Sequence, residues 1–526
     1  MSATNGTRAP AGHVLARLFR RKPLDQLLSE TELVDQQLRR SLGPVQLTAL
    51  GIGAIVGAGI FSTVGEAAAG GGAHVGAGPA LAVSFVLVAV VCAFAALCYA
   101  EFAAMAPVSG SAYTYAYATL GELMAWIIGW DLILEYAIGN VAVAISWSAY
   151  FQELLRGLHL SFPGWLGTDF RSAHQAATAL AQAQATHGDV AALGLTLLRD
   201  AQAFANAPRL LGLPLIFNLP AVLIVALLTW ILVRGIRESA AANTAMVVLK
   251  LGVIVFFLAV GACYVKPEHW TPFAPNGFKG IWSAAAIIFF AYIGFDAVST
   301  AAEEAKNPQR DMPIAIIASL VVCTLVYVAV AIVLTGLAPW RTLGTAEPLA
   351  SVFAGLNLNW AAGIIAAGAL FANTSVLIAF QVGQPRIFFS MARDGLLPRW
   401  AAKVHPRFRT PHITTILTGV FVAAFSGVTN INEMVELTNI GTLFAFILVA
   451  VGILVLRRTD PRRARPFRTP LVPLVPLGAI VCCGYLMVEL PATTWWRFLI
   501  WLAIGLVIYL AFGVRRSRLA SRPPSG

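Results

Sequence analysis

Long apolar stretches dominate the chain and constrain its fold more than any other feature. A helix that crosses the hydrocarbon core of a bilayer needs about 20 mostly apolar residues. Charged residues make up only 12% of the chain, against about 25% in soluble proteins. About twelve stretches of sufficient length occur, at 44–68, 78–104, 122–153, 214–234, 241–265, 279–302, 312–338, 360–391, 411–428, 433–456, 471–490 and 494–513. The sequence therefore predicts an all-α polytopic membrane protein with about twelve transmembrane helices.

The net charge of +11 is explained by membrane topology. Basic residues cluster before the first stretch, after the eighth, after the tenth and after the last. With an even number of crossings these clusters lie on one side, which the positive-inside rule makes cytoplasmic. We therefore expect both termini in the cytoplasm and no nucleic-acid partner. The predicted organisation is a basic cytoplasmic segment (1–43), a membrane domain (44–513) and a basic cytoplasmic tail (514–526).

One external loop, at 156–213, is longer than the others and rich in alanine and glutamine. Its pattern predicts one or two short helices outside the membrane. A tolerated surface insertion and a partner-binding module both remain open. The remaining loops are short, and the chain has neither H-E-x-x-H nor G-x-S-x-G nor a metal-ligand spacing. An enzyme is therefore not expected.

The first apolar stretch contains the segment "LTALGIGAIVGAGIFS". Each glycine weakens a helix by about 1 kcal/mol relative to alanine, and four occur here within little more than two turns: Gly51, Gly53, Gly57 and Gly59. A dinucleotide-binding loop is excluded, because the flanks are transmembrane and the third glycine of G-x-G-x-x-G is missing. Close packing of two membrane helices through a small-xxx-small motif is one explanation. A break that exposes backbone groups to a cavity is the other.

The sixth apolar stretch carries a matching interruption, "FFAYIGFDA", with Gly294 in its middle and Asp296 two residues later. A pair of interrupted stretches that open the two halves of a membrane protein is typical of inverted-repeat transporters, whose site lies at the midplane. The residue sequences of the two halves show no convincing similarity, so the repeat is inferred from the breaks alone.

Several long blocks of this sequence resemble the amino acid–polyamine–organocation superfamily, and within it the bacterial cationic amino acid transporter group. They are "GIGAIVGAGIF", "CYAEFAAMAPVSGSAYTYAYATLGELMAWIIGWDLILEYAIGN", "FFAYIGFDAVSTAAEEAKNPQRDMP", "GQPRIFFSMARDGLLP" and "LTNIGTLFAFILVAVGILVLRR". The resemblance covers roughly residues 15–513. It implies the leucine-transporter-type 5+5 inverted repeat with helices 1 and 6 broken, a multi-pass location in the bacterial inner membrane, and transport of an L-amino acid.

The resemblance also implies a substrate site built from backbone at the two breaks. The α-carboxylate is expected on the N–H groups of Ala58, Gly59 and Ile60. The α-amino group is expected on carbonyls at the breaks, namely those of Ile55, Val56, Phe290, Ala291 and Ile293. Gly57 and Gly294 are expected to form the breaks, and Asp296 to accept hydrogen bonds from freed N–H groups of the first stretch. Gly51 and Gly53 are expected to allow close helix approach.

Ionisable residues inside membrane helices cost about 2.5–3.5 kcal/mol each and are functional candidates by default. Lys250 lies well inside the fifth stretch; it either extends back to the membrane interface or is the protonation site. Burial disfavours the ammonium form, and family members with this lysine couple to protons. The proton is thus the expected coupling ion, with no other cofactor. Glu135 is interpreted as a counter-charge, to a basic substrate side chain or to Lys250, or as the partner of a buried polar group.

The eighth stretch departs from the family pattern. Asn373 and Gln381 stand where apolar residues are expected, and Phe380 occupies a position that is often methionine. If Phe380 faces the side-chain pocket, it reduces the pocket and favours small neutral amino acids. The sequence therefore predicts a proton-coupled amino-acid symporter, monomeric or associated with a small membrane partner. An amino-acid/polyamine exchanger and a non-transporting sensor with a transporter-like core are the alternatives.

Overall fold

The computed structural model describes residues 18–24, 40–71, 74–108, 111–160, 162–185, 195–235, 240–408 and 410–517. Most of the predicted N-terminal segment 1–43 lies outside these residues, as does the end of the predicted tail 514–526. Helices account for most of the described chain. In order they are α1 (Pro44–Ile55), α2 (Val64–Ala69), α3 (Leu81–Met105), α4 (Ser111–Thr119), α5 (Glu122–Gly157), α6 (Phe170–Ala185), α7 (Leu195–Asn206), α8 (Leu219–Arg234), α9 (Ala240–Ala262), α10 (Gly277–Ile288), α11 (Pro308–Leu337), α12 (Pro348–Gly355), α13 (Asn359–Arg393), α14 (His412–Val428), α15 (Ile431–Thr459), α16 (Leu474–Val488) and α17 (Ala492–Ile508).

The helix lengths confirm a polytopic α-helical membrane protein. Within the described residues, 8 helical segments are long and apolar enough to cross a bilayer alone, and one bent pair, Pro44–Ile55 with Gly59–Ala69, brings the number to 9. Three further apolar helices, α8, α14 and α16, are shorter than 18 residues. Every apolar stretch of the sequence therefore contains a helix, although fewer than twelve meet the length for an independent crossing.

Two long helices, α5 and α13, pack against each other at the centre, and α15 packs against α5. Side chains of α5 are buried on almost all sides, including Trp126, Glu135 and Tyr150. In contrast, α17 leaves most of its apolar side chains exposed, as expected for a helix that faces lipid. The centre of the bundle thus lies between α5, α13 and α15, with α1 and α10 beside them.

The basic loop after α15 is fixed to α3 by a buried carboxylate. Glu101 is fully buried and accepts two hydrogen bonds from Arg457, at 3.0 and 2.8 Å, and one from Arg465 at 3.2 Å. The backbone N–H of Thr469 donates a fourth, at 2.7 Å. A buried charge is tolerated only when it is paired in this way. Arg457 at the end of α15 and Arg465 in the following loop therefore have a structural role, which is to fix this region to α3.

The long loop at 156–213 folds over one end of the bundle. It contains α6 and α7, as its alanine-rich pattern predicts, and a hairpin of two short strands, β1 (Arg209–Leu210) and β2 (Leu213–Pro214). Arg171 of α6 forms an ion pair with Glu433 of α15, and Asn430 donates a hydrogen bond to Ser172 at 2.6 Å. An ion pair and a side-chain hydrogen bond thus attach the loop to α15 and the residue that precedes it.

Candidate functional site

The first apolar stretch is interrupted just after Ile55, the last residue of α1. Val56 is extended (φ −77°, ψ 99°), and the chain resumes with a π-helical turn at Gly59–Thr63 that leads into α2. The two halves meet at an angle of 41°. Among the described residues, the N–H groups of residues 57–60 have no backbone acceptor outside their own helical segment. These donors are available at the start of a half-helix, where the helix dipole also favours an anion.

The sixth stretch is interrupted in the same manner. Helix α10 ends at Ile288, a 3₁₀ turn covers Phe289–Tyr292, and Ile293 is extended (ψ 132°). Gly294 then adopts φ +122°, a conformation that side chains rarely allow. A second 3₁₀ segment, Asp296–Glu304, completes the stretch. Irregular backbone at membrane depth is tolerated where it is buried in protein or lines a water-filled cavity, and the residues at both breaks, such as Val56, Ile60 and Ala291, are buried.

The two breaks are in direct contact, and glycine makes the contact possible. A Cβ atom on Gly59 would lie 2.3 Å from the Cα of Ala291, and one on Gly294 would lie 2.8 Å from the carbonyl carbon of Ala54. Gly51 and Gly57 also lack room for a side chain, against Ser319 and Val376 respectively. Close packing and a helix break are therefore not alternatives here, because Gly57 and Gly59 take part in both.

Lys250 of α9 binds the end of α1 at the first break. Its side chain is buried, and Nζ donates hydrogen bonds to the carbonyl oxygens of Gly53 at 2.8 Å and Val56 at 3.1 Å. The hydroxyl of Tyr327 donates to the carbonyl of Ile55 at 3.1 Å. The alternative in which Lys250 extends to the membrane interface is wrong, because carbonyls released by the break attract the ammonium group into the protein.

Comparison with known proteins identifies the family. The Amino acid permease family matches residues 42–511. The chain belongs to this family. The permease is 45% identical over 503 residues to the branched-chain amino acid permease BcaP of Bacillus subtilis (strain 168), which covers 95% of this chain and 99% of the relative. It is 42% identical over 505 residues to the methylthioribose transporter of the same organism, covering 96% and 100%. It is 35% identical over 450 residues to the vacuolar cationic amino acid transporter 4 of Arabidopsis thaliana, covering 84% and 68%.

A chain of buried side-chain hydrogen bonds lies immediately beyond the first break of the permease. Ser62 shares a hydrogen bond of 2.6 Å with Ser146 of α5, and Asn373 of α13 donates to Ser146 at 2.8 Å. The other amide atom, Oδ1 of Asn373, has no partner among the described residues. The polar residue at 373, unexpected from the sequence, thus links the first, third and eighth stretches.

Phe380 of α13 faces α5 in the core of the permease. Its ring lies 5.4 Å from that of Tyr136, measured between centroids, and a Cβ atom on Gly139 would lie 3.0 Å from it. Thr438 of α15 approaches Gly139 from another direction. Phe380 therefore occupies space between α5, α13 and α15. Gln381 points elsewhere and donates a 3.4 Å hydrogen bond to Thr229 of α8.

The prediction for Asp296 is wrong, and of the interpretations of Glu135 only the counter-charge to Lys250 is not found among the described ion pairs. Asp296 was expected to accept from N–H groups of the first stretch; its Oδ1 instead accepts from the N–H of Gly294 at 3.3 Å. The positive φ of Gly294 turns that N–H towards the carboxylate two residues later. Glu135 is buried, with no partner recorded for Oε2 in the described part of the chain. The described ion pairs do not join it to Lys250, whose ammonium group already has carbonyl partners.

Three contacts at the breaks were missed by the sequence analysis. Asn439 of α15 donates to the carbonyls of Ala286 at 2.7 Å and Ile287 at 3.2 Å, just before the sixth-stretch break. Tyr327 and Ser146 approach the first break from α11 and α5. Each is a polar residue inside an apolar stretch, and that property was the one signal in the sequence that could have identified them.

Proposed function

We propose that the permease is a secondary active amino-acid transporter that couples uptake into the cytoplasm to proton entry. The observation that carries the proposal is the buried ammonium group of Lys250 on the carbonyls of the broken first stretch. A lysine without an ionic partner in a dry site gains or loses a proton readily. Lys250 is therefore suited to take up a proton when the site is open to one side of the membrane and to release it when the site is open to the other.

The proposed topology has twelve crossings arranged as a 5+5 inverted repeat, with both termini in the cytoplasm of a bacterium. The eight long segments, the bent pair and the three shorter apolar helices support this number. The two breaks lie within the first and the sixth crossing. These crossings begin the two proposed five-helix repeats. Transporters with inverted repeats place their substrates at such breaks.

In this mechanism, the substrate carboxylate binds the N–H groups of Ala58, Gly59 and Ile60. Its ammonium group binds carbonyls of Ile55, Val56, Phe290, Ala291 and Ile293. Carbonyl oxygens accept two hydrogen bonds, so those of Ile55 and Val56 can serve Tyr327 or Lys250 and a ligand together. Backbone recognition of this kind selects the amino-acid group and leaves the choice of side chain to the surrounding residues.

The proton on Nζ of Lys250 controls the position of α1. Hydrogen bonds from a charged donor are stronger than those from a neutral one. A protonated Lys250 therefore holds α1 against α9 and favours one arrangement of the break. Loss of the proton weakens both contacts and lets α1 move, so proton release and opening on the cytoplasmic side are linked. Glu135 and Phe380 complete the side-chain pocket, with the Glu135 carboxylate available to a polar or basic substrate group.

The proposal is tested by uptake into proteoliposomes with an imposed pH gradient. The probes are radiolabelled L-alanine, L-leucine, L-arginine and methylthioribose, the last because one relative is a methylthioribose transporter. Accumulation of an amino acid that collapses with a protonophore supports the proposal. Uptake that occurs only when a trapped amino acid leaves the vesicle supports an exchanger instead. Absence of amino-acid uptake in all conditions contradicts amino-acid transport, and uptake of methylthioribose alone would assign that substrate instead.

Replacement of Phe380 by alanine is expected to change substrate selection. The smaller side chain leaves space between α5 and α13, so uptake of L-leucine and L-arginine should rise relative to L-alanine by about tenfold, in line with the 1–3 kcal/mol that pocket size contributes to selection. The ratio of kcat/KM values in proteoliposomes measures this effect. Phe371→Ala on the same helix is the control, because Phe371 is exposed on the bundle surface. An unchanged ratio for Phe380→Ala contradicts the assignment of Phe380 to the pocket.

A further inference from the structure

A large cavity lies on the external side of the first break and is covered by the long loop 156–213. Its volume is about 580 Å³, and its floor includes Ser62, Thr63 and Ile145. Ligand sites in proteins usually measure about 300–1,000 Å³. The hydrogen-bond chain from Ser62 through Ser146 to Asn373 begins at this floor, so it separates the cavity from the break.

The cavity carries charges of both signs. Four carboxylates line it, those of Glu66, Asp169, Asp200 and Glu347, together with the guanidinium groups of Arg156 and Arg199. Arg156 is held by Glu347 at 3.2 Å and by Glu153 at 2.7 Å. Arg199, in contrast, is half-exposed and reaches Glu347 only at 3.9 Å. Its guanidinium group therefore keeps donors for another anion.

Side-chain contacts hold the loop in place over the cavity. Arg171 pairs with Glu433, and Asn430 donates to Ser172, at the start of α15. Gln152 of α5 donates to the carbonyl of Gly167 at 2.8 Å. These contacts hold Arg199 and Asp200 of α7 over a floor formed by the first stretch. The charged side chains of α7 and the floor formed by the first stretch thus enclose the same cavity.

We propose that this cavity is a second, external binding site for amino-acid zwitterions, which a substrate occupies before it reaches the break. The inference rests on the proposed function and extends it by assigning a role to the long loop. Arg199 binds the carboxylate of the zwitterion, and Asp200 with Glu66 binds its ammonium group. The carboxylates of the lining outnumber its guanidinium groups, and this imbalance favours the ammonium end of the zwitterion.

Protons compete with the ammonium group at this site. Burial raises the pKa of Asp200 to about 7. A hydrogen bond with Thr168 acts against this rise, while the neighbouring carboxylates of Asp169 and Glu347 add to it. Above this pKa Asp200 is negative and attracts an ammonium group; below it the carboxyl is neutral. Affinity at the external site should therefore decrease as the outside becomes more acidic, in the opposite direction to proton-driven accumulation.

Equilibrium binding to the purified full chain tests the proposal, with radiolabelled L-alanine, L-leucine and L-arginine as separate probes. We expect the wild type to bind a second equivalent of the transported probe, more weakly at about pH 6 than at about pH 8. The double variant Arg199→Ala/Asp200→Asn should bind one equivalent, with no such pH dependence. In proteoliposomes it should raise KM about fivefold with kcat unchanged, the signature of lost binding that does not affect the later steps. Retained kcat also shows that the variant folds.

The matched control is Arg209→Ala/Glu268→Gln, which removes the same charges from exposed positions outside the lining. It should behave as the wild type. A single equivalent in the wild type, or an unchanged KM in the Arg199/Asp200 variant, overturns the external site while uptake continues. Absence of uptake for every amino acid contradicts the proposed function itself, and this inference with it.

Discussion

Replacement of Lys250 by methionine is expected to abolish pH-driven accumulation of substrate. Methionine has a similar length and no proton to exchange, so the variant removes the hydrogen bonds to the carbonyls of Gly53 and Val56 without opening a large cavity. Hydrogen bonds to charged groups contribute about 1.5–3 kcal/mol each. Loss of both should reduce net uptake at least about tenfold.

Two assays distinguish a proton site from a purely structural lysine. Net uptake driven by a pH gradient requires the proton on Nζ in every cycle. Counterflow, in which labelled substrate exchanges with trapped unlabelled substrate, can proceed without net proton movement. We therefore expect Lys250→Met to lose net uptake and its pH dependence while it retains measurable counterflow. Lys266→Met, an exposed lysine beyond the end of α9, should leave both assays unchanged.

Two results would contradict this role for Lys250. Full pH-driven accumulation by the methionine variant would show that the proton binds elsewhere. Equal loss of net uptake and counterflow would assign the lysine to the structure of the break alone. Protein yield and monodispersity in size-exclusion chromatography must accompany both assays, so that a folding defect is recognised.

The sequence predicted the breaks because their causes are local. Clustered glycines weaken the helix wherever the stretch lies in the fold, and a glycine at position 294 permits the positive φ that the sixth stretch requires. The positions of membrane helices are also determined locally, because they depend on the length and apolarity of each stretch. The assignment of helices to all apolar stretches therefore followed from composition and spacing.

The contacts that complete the site depend on residues far apart in the sequence. Tyr327, Asn439 and Ser146 reach the breaks only because α11, α15 and α5 pack there, and no local pattern contains that information. The error for Asp296 has a local origin instead. Whether its carboxylate meets an N–H of the first stretch or of Gly294 depends on one backbone dihedral angle. The cavity under the long loop was beyond prediction too, because it forms where α7 meets the segment before α12, residues 344–347, and the first stretch.

Replacement of Gly59 by alanine is expected to abolish uptake and to lower thermal stability. The added Cβ atom would lie 2.3 Å from the Cα of Ala291 and 2.9 Å from its backbone nitrogen. Backbone atoms cannot rotate away as a flexible side chain can, so the two breaks must separate. Overpacking of this kind typically costs about 1–3 kcal/mol, and misplacement of groups in a site by about 1 Å can cost on the order of 100-fold in rate.

Gly252→Ala is the matched control for this prediction. Gly252 lies on α9, two residues from Lys250, and a Cβ atom there meets nothing within 4 Å. Alanine forms helices better than glycine by about 1 kcal/mol, so a general effect of helix strengthening would appear in both variants. Loss of uptake and a lower melting temperature in Gly59→Ala alone would assign the effect to the contact with Ala291. Wild-type uptake by Gly59→Ala would contradict the direct contact of the two breaks, and with it the proposal that carboxylate donors and ammonium acceptors share one site.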